Sequence, residues 1–433
     1  MEKRVSRHYT VFCPLCGQRR QDDGMTLSCG RDHGPALLRS DYAVKEFAPH
    51  PDTEGLFRYR NWLPVTRTFP TAVRTAVFQS EELSAQLGLP NLWIAFNGYW
   101  PERGAFLETA TFKELEAYAV LGRLPSEPPV LVVASAGNTA AAFASICSRH
   151  RRPCVLIVPR RGLDRMRFRA PLDPAVRLVV LDGADYSDAI ALAESVAALP
   201  GFQAEGGVRN IGRRDGLATV LYAGVEAMGR MPGAYVQAVG SGAGAIAVHE
   251  AATRLLDTGR YGTDLPRLLL CQNASFAPLA DSWKSGTRQL APCRADDARA
   301  ATRTVFADEL TNRFPPYAVR CGVYDVLTES SGDVLTIEQE AAEYERDVFG
   351  KAESIDIEPA SAVALAGLRK AVLDGSVSEE EYVLLNITGG GRARLAQDHL
   401  LYDAEPALVA DLEDGAVDDL VARIAMLFPG RIR

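Results

Sequence analysis

Lys113 stands in the run Thr111-Phe112-Lys113-Glu114-Leu115-Glu116, where an apolar strand and a turn through Gly98 and Pro101 give way to a helix. Thr111 has the side chain of an N-cap, and Glu114 and Glu116 fall in the first turn, where the helix dipole favours negative charge. A lysine in that turn opposes the dipole. Set among aromatic neighbours and against the local field, its amine gives up a proton more readily and becomes a nucleophile for a carbonyl carbon. An ordinary surface lysine has the same neighbours in sequence, so the rest of the chain must decide between the two.

Three loops offer chemistry of a matching kind. Ser135-Ala136-Gly137-Asn138-Thr139 ends one apolar strand and opens a helix. Amides at a helix N-terminus bind anions, and the hydroxyls of Ser135 and Thr139 add donors, which suits a carboxylate. The Asn138 amide can donate to a ring oxygen; read alone, the loop is equally an ordinary turn with Asn138 or Thr139 as cap. Gly240-Ser241-Gly242-Ala243-Gly244-Ala245 also lies between a buried strand and a helix, where glycine lets the backbone close on a phosphate. It lacks the third glycine and the acidic partner of a dinucleotide fingerprint, and has no P-loop lysine, so a cofactor phosphate is expected there rather than a nucleotide. Asn386-Ile387-Thr388-Gly389-Gly390-Gly391 places a hydroxyl at a strand end, where it can donate to a neutral ring nitrogen, although glycine-rich turns after strands are common.

A fourth cluster is of another kind. Cys13-Pro14-Leu15-Cys16, followed by Cys29 and His33, has zinc-ribbon spacing, with Cys-x3-His in place of the second Cys-x2-Cys. It reads either as a structural zinc site or as a hairpin that keeps the ribbon's shape without metal.

The elements that must position these residues follow an alternating pattern. Apolar strands are expected over 92–96, 130–135, 154–158, 176–181, 235–239, 268–271 and 382–386. Helices are expected over 80–87, 139–149, 186–199, 217–228, 246–256 and 360–373, with 405–426 ending the pattern. Such alternation means an α/β fold with two open, mostly parallel sheets. The expected division is a ribbon-like segment over 1–45, a small α/β domain over 130–212, and a large cofactor-binding domain over 46–129 and 213–433.

Length and composition limit the function classes. A chain of 433 residues is too long for one core. A net charge of -8 argues against nucleic acid as a partner, and the absence of a long apolar run argues against a membrane span. Met1 to His8 leads into no apolar signal region, and the eight cysteines are too scattered for a disulfide framework, so a cytoplasmic protein is expected.

The order of lysine, Ser-x-Gly-Asn-Thr loop, glycine-rich loop and hydroxyl-glycine loop resembles the fold-type-II pyridoxal-phosphate enzymes, the tryptophan-synthase-β family. Glu358-Pro359-Ala360-Ser361-Ala362 looks like that family's Glu-Pro-Ala-x-Ala segment, and the N-terminal cysteines with Arg213-Arg214-Asp215-Gly216 are most like threonine synthases. The stretch from Phe96 to Ala117 is similar to the lysine region of a branch that makes L-cysteate from O-phospho-L-serine and sulfite. Threonine synthases carry Lys-Asp-Arg where this chain has Lys113-Glu114-Leu115.

The resemblance implies pyridoxal 5'-phosphate as cofactor. It assigns Lys113 to the Schiff base and to proton transfer at the substrate α-carbon, Asn138 to the cofactor ring oxygen, and Thr388 to the ring nitrogen. It assigns Gly240, Ser241, Gly242, Ala243, Gly244 and Ala245 to the cofactor phosphate, and Ser135, Ala136, Gly137 and Thr139 to the substrate carboxylate. The implied reaction is a β-replacement through an aminoacrylate, with Arg103, Arg213, Lys284 and Arg288 as candidates for the substrate anions. A homodimer is implied as well. Threonine synthesis from O-phosphohomoserine, another nucleophile acting on phosphoserine, and an inactive relative serving as a binding module remain open at this point.

Overall fold

Runs of Val, Leu and Ile with no polar face need cover on both sides of a strand. In the computed structural model, which describes residues 2–135, 137–293, 300–301, 305–411 and 417–430, two sheets supply that cover. The larger has six strands in the order Asp333–Ile337, Arg267–Asn273, Ala234–Ala238, Val383–Ile387, Leu92–Phe96 and Ala76–Gln79. All are parallel except Ala76–Gln79, which runs against Leu92–Phe96. The smaller has five parallel strands in the order Phe202–Ala204, Val130–Ala134, Cys154–Pro159, Val176–Asp182 and Leu408–Asp411. The α/β class with two open, mostly parallel sheets is therefore what the chain adopts. At the N-terminus, Tyr9–Phe12 pairs antiparallel with Arg19–Arg20 and with Arg39–Tyr42, a ribbon-like hairpin.

The end of the chain departs from the expected division. Leu408–Asp411 pairs with Val176–Asp182, and the helix Val417–Met426 buries Leu420 and Ile424 in the core of the smaller sheet. Phe428 meets Phe202 edge to face, 5.7 Å between ring centroids. This stretch belongs with the smaller sheet, whereas the sequence pattern groups all of 213–433 with the larger. The strand is four residues long with alternate residues exposed, too weak a pattern to announce a sheet partner.

The helix Lys113–Arg123 crosses the long helix Ile211–Met228, which is buried from Ile211 to Val225. The expected start of the second helix, at 217, is six residues late. Gly212-Arg213-Arg214-Asp215-Gly216 has the composition of a loop, yet its charges are paired inside the protein. Arg213 meets Glu116 and Glu205, Arg214 meets Glu250, and Asp215 meets Arg254. Asn210 caps the helix by accepting from the Gly212 amide at 2.9 Å.

The crossing is close because of Gly216. A Cβ there would lie 2.5 Å from the Leu115 carbonyl oxygen and 2.9 Å from Ala119 Cβ. A helix interior would normally gain about 1 kcal/mol from glycine to alanine. Here the added methyl must push apart two packed backbones, so Gly216→Ala should instead destabilise the fold by about 1–3 kcal/mol. Denaturant unfolding reads this, and a stabilised Gly216→Ala variant would contradict the packing argument.

Candidate active site

The lysine helix begins differently from the expectation. Thr111 does not cap it: the residue before the first turn is Phe112, with no side-chain cap, and the Thr111 hydroxyl is buried without a hydrogen-bond partner among the described residues. The start is held instead by backbone. The Phe112 amide donates to the Thr388 carbonyl at 2.9 Å, and Thr111 forms an isolated bridge with Gly389. Glu114 turns inward, and its carboxylate accepts from the Thr109 hydroxyl at 2.9 Å.

Lys113 Nζ lies 3.5 Å from Glu116 Oε2 and 4.8 Å from the Phe112 ring centroid. Its side chain is 21% exposed, whereas that of Glu116 is fully buried. Burial moves the amine's pKa below the ordinary lysine value; Glu116 opposes that shift and the Arg213 guanidinium reinforces it. Glu116 also accepts from Arg213 at 2.9 Å and from the Thr139 hydroxyl at 3.3 Å, and Arg213 Nε donates to Glu205 at 3.0 Å. The amine thus sits at one end of a buried chain of alternating charge.

One pocket is lined by Lys113, Ser135, Gly137, Asn138, Thr139, Gly240, Ser241, Gly242, Ala243, Gly244 and Thr388. These expected residues lie far apart in sequence, and the strand ends of both sheets bring them together. Ala245 is fully buried in the core and is not among the lining residues described. Ala136 lies outside the described residues. Ser135 Oγ accepts from the Gly137 amide at 3.0 Å, which leaves its own proton free to donate. Asn138 Nδ2 donates to Glu358 at 2.8 Å, and its Oδ1 accepts from Arg392 at 3.1 Å. Thr388 Oγ1 lies 3.5 Å from Ser361 Oγ.

Three of the four suggested anion ligands lie elsewhere. Arg103 pairs with Glu353 at 2.8 Å and covers the Phe78 ring, Arg288 pairs with Asp325, and Lys284 ends the helix Pro278–Lys284. Of the four, Arg213 alone lines the pocket. Sequence reasoning missed Glu116, Glu309, Thr311 and Asn312 as lining or network residues. Glu358 had a signal, since it opens the quoted Glu-Pro-Ala segment; Glu309 had none. Glu309 Oε1 accepts from the Ala360 amide at 2.9 Å, while Oε2 has no hydrogen-bond partner among the described residues and lies 3.5 Å from Arg165. Burial, then the neighbouring Glu358, pushes its pKa up to about 8.

The donor set fits pyridoxal phosphate. Gly242 caps the helix Ala243–Asp257 at φ 74°, and a Cβ there would meet Val323 at 2.5 Å, so only glycine closes this turn. The helix's first amides have no carbonyl within the helix to pair with; that of Ala243 rests on Ser241 Oγ at 3.3 Å, and together they form a cradle suited to a phosphate. A partly buried primary amine, an amide and a hydroxyl suit the aldehyde and the two ring heteroatoms, and the orphaned Thr111 hydroxyl is a donor that a bound group would satisfy.

The comparisons agree with this geometry. The model of the family described as pyridoxal-phosphate dependent enzyme matches residues 69–389. A cysteate synthase of Methanospirillum hungatei is 42% identical over 94% of this chain and 95% of its own. One from Methanosarcina barkeri is 41% identical over 95% of this chain and 99% of its own. Among solved structures, maize serine racemase covers 75% of this chain and 92% of its own at 18% identity with a TM-score of 0.58. The processed form of threonine deaminase isoform 2 from Solanum lycopersicum covers 84% of this chain and 98% of its own at 16% identity with a TM-score of 0.56. Those two likenesses speak for the fold alone. The chain belongs to the pyridoxal-phosphate-dependent enzymes and, within them, to the cysteate synthase family.

Proposed function

We propose that this enzyme joins O-phospho-L-serine and sulfite into L-cysteate and phosphate. What carries the reading is the full-length likeness to cysteate synthases in a chain whose lysine, anion loops and hydroxyl line one pocket. When bound, pyridoxal phosphate supplies the electron sink that lets the bonds at the substrate α- and β-carbons break. Lys113, Asn138, Thr388 and the Gly240–Gly244 backbone would hold it.

The chain's own residues then do the following. Lys113 Nζ takes the proton from the substrate α-carbon and returns it at the end, a role for which an amine of lowered pKa is suited. Ser135 and the amides opening the helix Asn138–Arg149 hold the substrate carboxylate; the Thr139 hydroxyl, now on Glu116, turns to join them. Glu116 fixes the position of both the amine and Arg213. Sulfite adds at the β-carbon after phosphate has left. From the family resemblance and the cysteine pattern, the wider reading is of a homodimer in the cytoplasm acting on small molecules. None of the described helices is long and apolar enough to cross a membrane.

Purified enzyme given phosphoserine and labelled sulfite should form labelled cysteate and release phosphate in step with it. Phosphate release that ignores sulfite, or product only from O-phosphohomoserine, would overturn the assignment.

Glu309 generates a second expectation. Asp308, Glu358, Arg165 and, through Glu358, Arg392 surround it. With its pKa raised to about 8, it is neutral below that pH and adds a negative charge to the pocket above it. The substrates are anions, so KM for phosphoserine should rise through pH 8, by roughly tenfold for one added charge at this depth. Glu309→Gln, neutral throughout, should flatten that rise. A profile unchanged by the substitution would show that Glu309 does not face the substrate.

A further inference from the structure

We propose that Cys13, Cys16, Cys29 and His33 hold one zinc ion, and that the zinc-held ribbon clamps the far end of the helix that carries Lys113. The inference concerns how the lysine is positioned and does not depend on which substrates the enzyme takes.

The metal half rests on the ligand geometry. The four ligand atoms lie within 4.8 Å of one another. Cys13 Sγ is 3.4 Å from His33 Nε2, and Cys16 Sγ is 3.6 Å from Cys29 Sγ. Tetrahedral zinc with its usual bond lengths sets sulfur–nitrogen and sulfur–sulfur edges of about 3.5 and 3.8 Å. His33 Nδ1 lies 2.7 Å from the Gly34 carbonyl, the outer bond that turns Nε2 toward a metal. Three thiolates and one imidazole suit zinc, and four protein ligands leave no open position for catalysis. The ion is structural.

The clamp half rests on what the ribbon grips. Asp22, between Cys16 and Cys29, meets Arg123, the last residue of the lysine helix. Its two oxygens accept from Arg123 Nε and Nη2, each at 2.8 Å, and both side chains are essentially out of water. Arg123 also donates to the Thr26 carbonyl at 2.7 Å, again on the ribbon, and to Asn210 Oδ1 at 2.9 Å. Asn210 caps the helix that carries Arg213. Tyr9 on the ribbon's central strand donates to Asp22 at 2.8 Å and holds it in place. One guanidinium therefore ties the ribbon to both helices whose other residues, Lys113, Glu116 and Arg213, form the pocket's charge chain. The outer strand that leads to Asp22, Arg19–Arg20, is only two residues long, so few ladder bonds hold it and a cross-link at its base would steady it.

The test uses the full-length holoenzyme. Elemental mass spectrometry should find one zinc per chain. Cys16→Ser, at the exposed ligand, should lose the zinc, lower the melting temperature and weaken pyridoxal phosphate binding tenfold or more by absorbance titration. Asp22→Asn should keep the zinc and show the same loss of cofactor affinity. If Cys16→Ser does not fold, chelation of the wild-type protein takes its place. Enzyme prepared with zinc supplied yet lacking the metal, or cofactor affinity unchanged both by zinc removal and by Asp22→Asn, would overturn the proposal.

Discussion

A primary amine largely withdrawn from water beside a fully buried carboxylate is the constraint on which this structure depends. Either group alone would be costly to bury, and together they hold only if further charges complete the set. The chain from Lys113 through Glu116 and Arg213 to Glu205 does this, alternating in sign and ending inside the protein. It requires two helices to cross closely enough for Glu116 and Arg213 to meet, and Gly216 is the residue that lets them.

The second constraint is that the pocket is shared between two sheets. Asn138 starts a helix of the smaller sheet, and its amide is held by Glu358 and Arg392 from the side of the larger. Arg165, after a strand of the smaller sheet, pairs with Asp308 and Glu309 of the other side. These polar contacts span the opening between the two halves. They are hydrogen bonds and ion pairs, which exchange with water more easily than packed apolar faces do.

Much of this was legible because two signals carry far in sequence. Continuous apolar runs ending in glycine or small polar residues put Ser135, Gly240 and Thr388 at strand ends, since a buried parallel strand must release its ligand-binding loop at its C-terminal end. The family resemblance then supplied the roles. What stayed hidden has a physical reason in each case. Arg213, Arg214 and Asp215 look like a loop because pairing of buried charge is invisible in a linear pattern. Thr111 looks like a cap, but backbone bonds to Thr388 and Gly389 took over that task. Glu309 belongs to the pocket only through tertiary contact, and Leu408–Asp411 joins a sheet whose other strands all come from before Glu205.

The central claim is that Lys113 is the lysine to which the cofactor binds. The most direct measurement is borohydride reduction of the holoenzyme followed by peptide mass spectrometry. The expected result is the mass of the reduced cofactor on the peptide that contains Lys113 and on no other. A cofactor-loaded enzyme that carries the label on a different lysine, or carries none after reduction, would contradict it.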